Sequence, residues 1–270
     1  MSKVFAIANQ KGGVGKTTTA VNLGAGFVRE GKKVLMIDFD PQGDLTTCLG
    51  FKEQDISKSI VGLIDSRIHE YDCNLDNFIV TNAEGTDLIP SGIDLAGIEY
   101  DMYEAENKNL LLRKCIEDYG LKDKYDYIII DCPPTLGIFT VNALSAADEV
   151  IIPVQSEVLA TKAAPQLIKT IKNVKQFTNR DLEIGGILIT MAQGRTRLTR
   201  QIKETLYENM GGYVNIYNSV IPRAIAAAEA PGYGKSIYEM KENSLIAKAY
   251  ESLTKEVANE QRKDEPERIL

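Results

Sequence analysis

Long apolar runs are absent from these 270 residues. Stretches such as Ile128–Ile130 and Val150–Val154 hold only a few residues, against the roughly 20 that a membrane-spanning helix needs. Histidine is nearly absent as well. His69 stands alone, and Cys48, Cys73, Cys115 and Cys132 form no CxxC pair. That leaves too few ligands for a zinc site, so the cysteines read as scattered reduced thiols packing as small apolar groups. An excess of positive charge is missing too: the formal net charge is −7 and the pI near 5.0. This argues against a constitutive nucleic-acid binder with a basic domain, though not against a local basic face. The first residues carry Lys3 but no apolar region with a cleavage site, so no signal peptide is expected, and the cytoplasm is the expected compartment. No internal repeat, low-complexity segment or long linker interrupts the chain.

What is present is a regular alternation. Val4–Ala8, Val34–Asp38, Asp87–Pro90, Tyr127–Asp131, Val150–Val154, Ile184–Thr190 and Val214–Ile221 read as strands. Several are continuous apolar runs, as expected of parallel strands covered on both faces. Helical patterns fall between them at Thr17–Glu30, Lys108–Tyr119, Thr140–Ala147, Thr161–Phe177, Thr199–Met210 and Ser244–Glu260. Phe51–Thr86 is less regular, with a short helix expected at Ser57–Asp65. The rhythm predicts one α/β domain over residues 1–260, a doubly wound, mostly parallel twisted sheet with helices on both faces. Residues 261–270 read as a charged, frayed tail.

The first strand runs into Asn9-Gln10-Lys11-Gly12-Gly13-Val14-Gly15-Lys16-Thr17-Thr18, and a helix follows. Glycines there let the backbone turn its N–H groups inward, and a helix N-terminus adds its positive end, which together make a phosphate cradle. Lys16 is placed to reach the β- and γ-phosphates of ATP, and the Thr17 hydroxyl to ligate Mg²⁺. The strict G-x-x-x-x-G-K-[ST] pattern fails, because Gln10 occupies its first glycine position. K-G-G-V-G-K-T-T is instead the deviant Walker A form of a P-loop NTPase, with a second lysine, Lys11, at the outer lip. Lys11 would either fold back or reach a nucleotide held by a facing subunit, neutralising charge there as an arginine finger does. Two further acids belong with the loop. Asp40, just beyond the strand that ends at Asp38, is the candidate for positioning the attacking water. Asp131, ending an apolar strand as a Walker B acid does, is the candidate for holding Mg²⁺ through water.

With these residues in view, the chain resembles the ParA/Soj partition ATPases of the MinD-like P-loop group. Beside K-G-G-V-G-K-T-T the resemblance rests on V-L-M-I-D-F-D-P-Q-G, Y-D-Y-I-I-I-D-C-P-P-T-L-G, V-I-I-P-V-Q-S-E, and V-I-P-R followed by E-A-P-G-Y-G-K. It covers nearly the whole length. It implies a weak ATPase that forms an ATP-sandwich homodimer, with Lys11 touching the partner's phosphates. It further implies non-specific DNA binding by the dimer, release by a ParB-like stimulating protein, and a place on the nucleoid. Residues Pro222 and Arg223 would lie near the nucleobase, and Arg195 and Arg223 against DNA. Two departures accompany it: Asp44 stands where asparagine is usual, and Ala224–Glu229 lacks a second arginine at about Ala226, which weakens the expected basic surface.

Arg195, Arg197, Arg200 and Lys203 cluster along one predicted helix, and Lys169, Lys172 and Lys175 recur on another. By themselves these are ordinary solvated faces; the resemblance makes them a DNA surface. The alternative is a membrane- or protein-cargo-positioning ATPase of the MinD type, which would need a basic amphipathic anchor helix near the C-terminus. The mixed charges of Lys255–Leu270 do not supply one, so no membrane partner is expected. An iron–sulfur carrier would need two cysteines in a cluster-ligand context, which neither Cys115 nor Cys132 occupies. No helix-turn-helix precedes the loop, so operator binding is not expected.

Overall fold

The computed structural model describes residues 2–52, 56, 58–156, 160–193, 201, 204–206, 208 and 214–264, without the side chains of 160–165 and 260–264. Among them eight strands form one sheet: β1 (Lys3–Ile7), β2 (Val34–Asp38), β3 (Val80–Thr81), β4 (Asp87–Ile89), β5 (Tyr127–Asp131), β6 (Glu149–Gln155), β7 (Glu183–Ala192) and β8 (Ile216–Pro222). Their order is β3-β4-β2-β5-β1-β6-β7-β8. Every pairing is parallel except β3 with β4, the short antiparallel edge. The seven expected strands are all present. The eighth, β3, has only two residues and carries no readable pattern.

Helices cover both faces. On one side lie α1 (Lys16–Arg29), α11 (Ile237–Lys241) and α12 (Leu245–Asp264); on the other α3 (Ile60–Ile68), α6 (Leu111–Asp118), α8 (Ile138–Ala146) and α9 (Ala160–Phe177). The shorter helices are α2 (Asp44–Cys48), α4 (Asp94–Gly97), α5 (Glu99–Glu104), α7 (Leu121–Lys124) and α10 (Ile225–Tyr233). The expected helix Thr199–Met210 falls largely outside the described residues. At the C-terminal end, α12 continues to Asp264.

Strand side chains alternate between the two cores, as period-two geometry demands. Val4 and Ala6 of β1, with Ile128 and Ile130 of β5, pack under α6 and α8. Phe5, Ile7 and Ile129 pack under α1 and α12, with Phe27, Tyr250 and Leu253. Helix α1 presses close to the sheet at Gly24, where a Cβ would stand 2.0 Å from the Met36 methyl. This tight seat holds the middle of α1 against β2 and β5. The crossovers from β1 lead to β2 on one side, while β6, β7 and β8 follow on the other. The C-terminal end of β1 is therefore the reversal point of the sheet, where open α/β folds bind ligands.

Candidate functional site

Several strand ends converge on that point. The loop after β1 is fastened from outside by side chains. Asn9, almost fully buried, donates from Nδ2 to Pro153 O at 2.7 Å and accepts Lys11 N at 3.0 Å. Gln155 Nε2 donates to Gly13 O at 2.9 Å, and Thr190 Oγ1 to Val14 O at 2.8 Å. With those two carbonyls bound to β6 and β7, the turn holds left-handed φ values of 68° at Gly13 and 84° at Gly15. Glycine adopts these without steric cost, and Gly15 then starts α1 directly. Gly12, Gly13, Gly15, Lys16, Thr17 and Thr18 line a cleft of 430 Å³. A phosphate chain seated there meets the helix N-terminus head-on.

Lys16 is 7% exposed, deep in this cleft. Beside it the Thr17 hydroxyl donates to Asp131 Oδ2 at 2.6 Å. The other Asp131 oxygen, Oδ1, is buried and has no hydrogen-bond partner among the described residues. Parallel pairing of β2 and β5 places Asp38 in register with Asp131, so two buried carboxyls end adjacent strands. Burial pushes Asp131 well above the usual carboxylate range, and the Asp38 and Asp40 charges push the same way. Burial likewise raises Asp38 to about 7, against hydrogen bonds from Thr46 and Asp40. A buried acid with an unpartnered oxygen, as Asp131 is, suits a cation. The Thr17 hydroxyl and the orphaned Asp131 oxygen are the donor set a hard divalent ion takes.

Asp40 also reaches the cleft, 8% exposed, its carboxyl raised first by burial and then by the neighbouring Asp44. Lys11 lies at the exposed lip, where its Nζ donates to Gln155 Oε1 at 2.7 Å. In the single chain, then, the second lysine folds back onto β6. Across the cleft stand Ala227, Ala228 and Pro231 of α10. Pro222 and Arg223, expected near the nucleobase, lie just before that wall and are not part of it. Pro222 ends β8 half-buried, and Arg223 is exposed, its amide donating to Ala192 O at 2.9 Å. Arg195, Arg197, Arg200 and Lys203 fall outside the described residues, while Lys169 and Lys172 are exposed on α9 and Lys175 is half-buried.

Sequence reasoning passed over Gln42, Thr47, Cys48, Pro134 and Met191, which also line the cleft. Cys48 is no nucleophile, since burial pushes its thiol up to about 12. Met191 has a left-handed φ of 52°, rare outside glycine, and its methyl would lie 3.8 Å from a Cβ placed on Gly15. Only its adjacency to the strand end at Thr190 signalled it.

Known proteins share this arrangement. Residues 2–184 match the AAA domain family. The sporulation initiation inhibitor protein Soj of Bacillus subtilis is 42% identical over 258 residues, covering 96% of this chain and 99% of that protein. The chromosome partitioning protein ParA of Caulobacter vibrioides is 38% identical over 268 residues, covering 96% and 95%. The chain belongs to the Soj/ParA family of partition ATPases. Among solved structures, a Mycobacterium smegmatis protein described as cobyrinic acid a,c-diamide synthase, with bound ATP analogue and magnesium, superposes with a TM-score of 0.85. It is 33% identical and covers 97% of this chain and 96% of its own. Family membership accords with the fold, with K-G-G-V-G-K-T-T at the reversal point, and with acids at the ends of β2 and β5. Thr17, Asp131, Lys16 and Asp40 come together at the cleft, while of the described cations Lys169, Lys172 and Arg223 do not line it.

Proposed function

We propose that this chain is a magnesium-dependent ATPase of slow turnover that partitions DNA by closing, two copies face to face, over ATP. The observation that carries this reading is the unpartnered Asp131 oxygen beside the Thr17 hydroxyl, within reach of Lys16 in a glycine-built phosphate loop. Thr17 and Asp131 would hold magnesium, which when bound supplies charge to the phosphate oxygens. Lys16 and the backbone of Gly12–Thr18 bind and orient the phosphates, Val14 through its main chain. Asp40 holds a water for attack and takes up its proton; burial, by raising this carboxyl, brings it nearer the working pH of a base. Lys11 leaves Gln155 and reaches the nucleotide of the second copy.

Pairing matters because the chain is acidic. Non-specific DNA binding is typically ~10⁻⁴ to 10⁻⁶ M and scales with the phosphates neutralised, so one copy with a few exposed cations binds feebly. Two copies joined through ATP present twice the contacts, and DNA retention becomes nucleotide-dependent. Arg223 is exposed and available for this, and the family resemblance adds Arg195. A ParB-like protein would accelerate hydrolysis and so release the dimer from the nucleoid. A membrane-cycling role is less well supported. No helix among the described residues is long and apolar enough to cross a membrane. The apolar face of α12 is used against the core through Ile246, Tyr250, Leu253 and Val257, side chains that an amphipathic anchor would have to free.

The test is plasmid retention without nucleotide, with ADP and with ATP, for the wild type and Asp40→Ala. ATP-dependent retention is expected, prolonged in Asp40→Ala because hydrolysis no longer opens the dimer. Equal retention in all three nucleotide states overturns the switch, and failure to bind Mg-ATP in calorimetry overturns the enzyme.

A further inference from the structure

Beneath Asp40 runs a closed circuit of buried hydrogen bonds that the reaction above leaves unused. Asp38 Oδ1 accepts Asp40 N at 3.2 Å. Its other oxygen, Oδ2, accepts both Thr46 N at 2.8 Å and Thr46 Oγ1 at 2.7 Å. The same Thr46 hydroxyl accepts Ser91 N at 3.0 Å, and Ser91 Oγ donates to Asp40 O at 3.0 Å, which closes the loop. Asp38 is 0% exposed, Thr46 2% and Ser91 3%. No water can replace a bond lost here.

The circuit ties α2 and the segment after β4 to the end of β2, beyond the last ladder pair of the two strands. Asp38 ends β2, Thr46 lies in α2, and Ser91 follows β4. Between Asp38 and Thr46 the chain makes the turn that carries Asp40. Gln42 N donates to Asp40 Oδ1 at 3.0 Å, and Gly43 N to Asp40 O at 2.9 Å. Gly43 has φ 65°, and a Cβ there would stand 3.1 Å from Ser91 O, so the turn sits directly on the Ser91–Gly92 backbone. Neither the Thr46 nor the Ser91 side chain lines the cleft; Asp40 does. Stability alone does not require this device, since strand ends of this kind are ordinarily solvated. What it fixes is the turn that carries the Asp40 carboxyl into the cleft.

We propose that Thr46 and Ser91 are positioning residues for Asp40, setting the rate of ATP hydrolysis and not the affinity for ATP. The inference rests on the reading of Asp40 given above. Misplacing a working group by about 1 Å costs on the order of a hundredfold in rate, so a loosened turn is costly even if it stays folded. Fully hydrogen-bonded networks of this kind hold a single geometry, and one missing member frees the rest.

The test uses the full chain with Ser91→Ala, Thr46→Val and Thr46→Ser, each in the native and the Asp40→Asn background. Single-turnover hydrolysis and Mg-ATP calorimetry are read side by side. Ser91→Ala and Thr46→Val are expected to slow hydrolysis about tenfold or more, a fraction of the loss that full misplacement brings, with unchanged affinity. Thr46→Ser, which keeps the hydroxyl, is expected to restore the rate. In the Asp40→Asn background neither slowing substitution should have any further effect. The idea is overturned if Ser91→Ala hydrolyses at the native rate, if it loses affinity and rate in proportion, or if it still slows the Asp40→Asn protein. Should Ser91→Ala not accumulate as folded protein, Thr46→Val against Thr46→Ser poses the same question. If Asp40→Asn alone leaves hydrolysis intact, the reading of Asp40 has failed and takes the inference with it; a slow Asp40→Asn beside an unaffected Ser91→Ala sinks the inference alone.

Discussion

The phosphate end of the cleft and the outer surface of the molecule handle charge in opposite ways. At the phosphate end Lys16, Asp38, Asp40 and Asp131 are all buried, and the acids are raised by desolvation. On the outer surface, away from the cleft lining, Arg223, Lys169 and Lys172 are exposed. A buried charge must be answered by a partner or a ligand, so each residue there counts heavily. An exposed cation is already solvated, and binding through it has to be summed over many weak contacts. Chemistry is therefore fixed in the core of this molecule, whereas, on the proposed reading, its grip on a large partner would depend on how many copies present that surface together.

The sharpest way to break that contrast is Asp131→Asn, which should act in opposite directions on stability and on binding. Removing a buried, half-unpartnered carboxylate should raise the melting temperature of the nucleotide-free protein. The sign follows from the raised carboxyl. Its ionisation penalty is fully present above the folded pKa and is relieved as pH falls through it, so the gain should be larger at pH 8 than at pH 5.5. Mg-ATP affinity should meanwhile fall roughly 10- to 100-fold, the scale seen when groups that set metal affinity are lost, and most of its magnesium dependence should go. Thermal scans at both pH values and calorimetry with and without magnesium measure the two arms. A variant that is destabilised and still binds in a magnesium-dependent way would mean that the orphaned oxygen is not waiting for a cation.

Arg223→Glu probes the other side of the contrast and should cost less. ATP binding should be unchanged, because the residue does not line the cleft. Plasmid retention in ATP should weaken about tenfold at moderate salt, and the dependence of log K on log salt should flatten by ~0.9 for each phosphate contact removed. An unchanged slope would place the DNA contacts elsewhere.

The same contrast governs what the sequence made legible. Seven strands could be read because strands buried on both faces appear as apolar runs; Tyr127–Asp131 and Val34–Asp38 match to the residue. Lys16, Thr17, Asp40 and Asp131 could be read because each stands within or just beyond such a run or its loop. The two-residue β3 was invisible, with Val80 half-buried and Thr81 exposed. Helix α2 was hidden inside the motif that carries the acids, since Gly43 looks like the end of a turn and is in fact its N-cap. The circuit through Ser91 was beyond reach for a different reason. Thr46 and Ser91 lie 45 residues apart, and only the order of β2 and β4 in the sheet brings them together. The lining by Ala227 and Ala228 was not legible either, because only the start of α10 at Ile225, after β8 stops at Pro222, carries them to the cleft.

The smallest effect concerns a carboxylate on the outer side that is built like those of the core. β8 is an edge strand whose register with β7 shifts between Ile187 and Ile189. At that irregularity Glu256 of α12 accepts Asn218 N at 2.6 Å through Oε1, and Ser219 N at 2.9 Å and Ser219 Oγ at 2.8 Å through Oε2. Amide groups that the ladder leaves unpaired would otherwise invite another strand. Glu256→Ala should destabilise the fold by about 1–3 kcal/mol, the cost of stranding charge-assisted partners in a partly buried place. Glu256→Gln, which keeps an acceptor, should cost less. Both should leave Mg-ATP affinity unaltered, since the edge is remote from the cleft lining. Urea titrations should show a lower midpoint at an unchanged slope. An unshifted midpoint in Glu256→Ala would mean that the bulged edge is held by its packing alone, and that what distinguishes the two regions is burial itself and not whether a charge is answered.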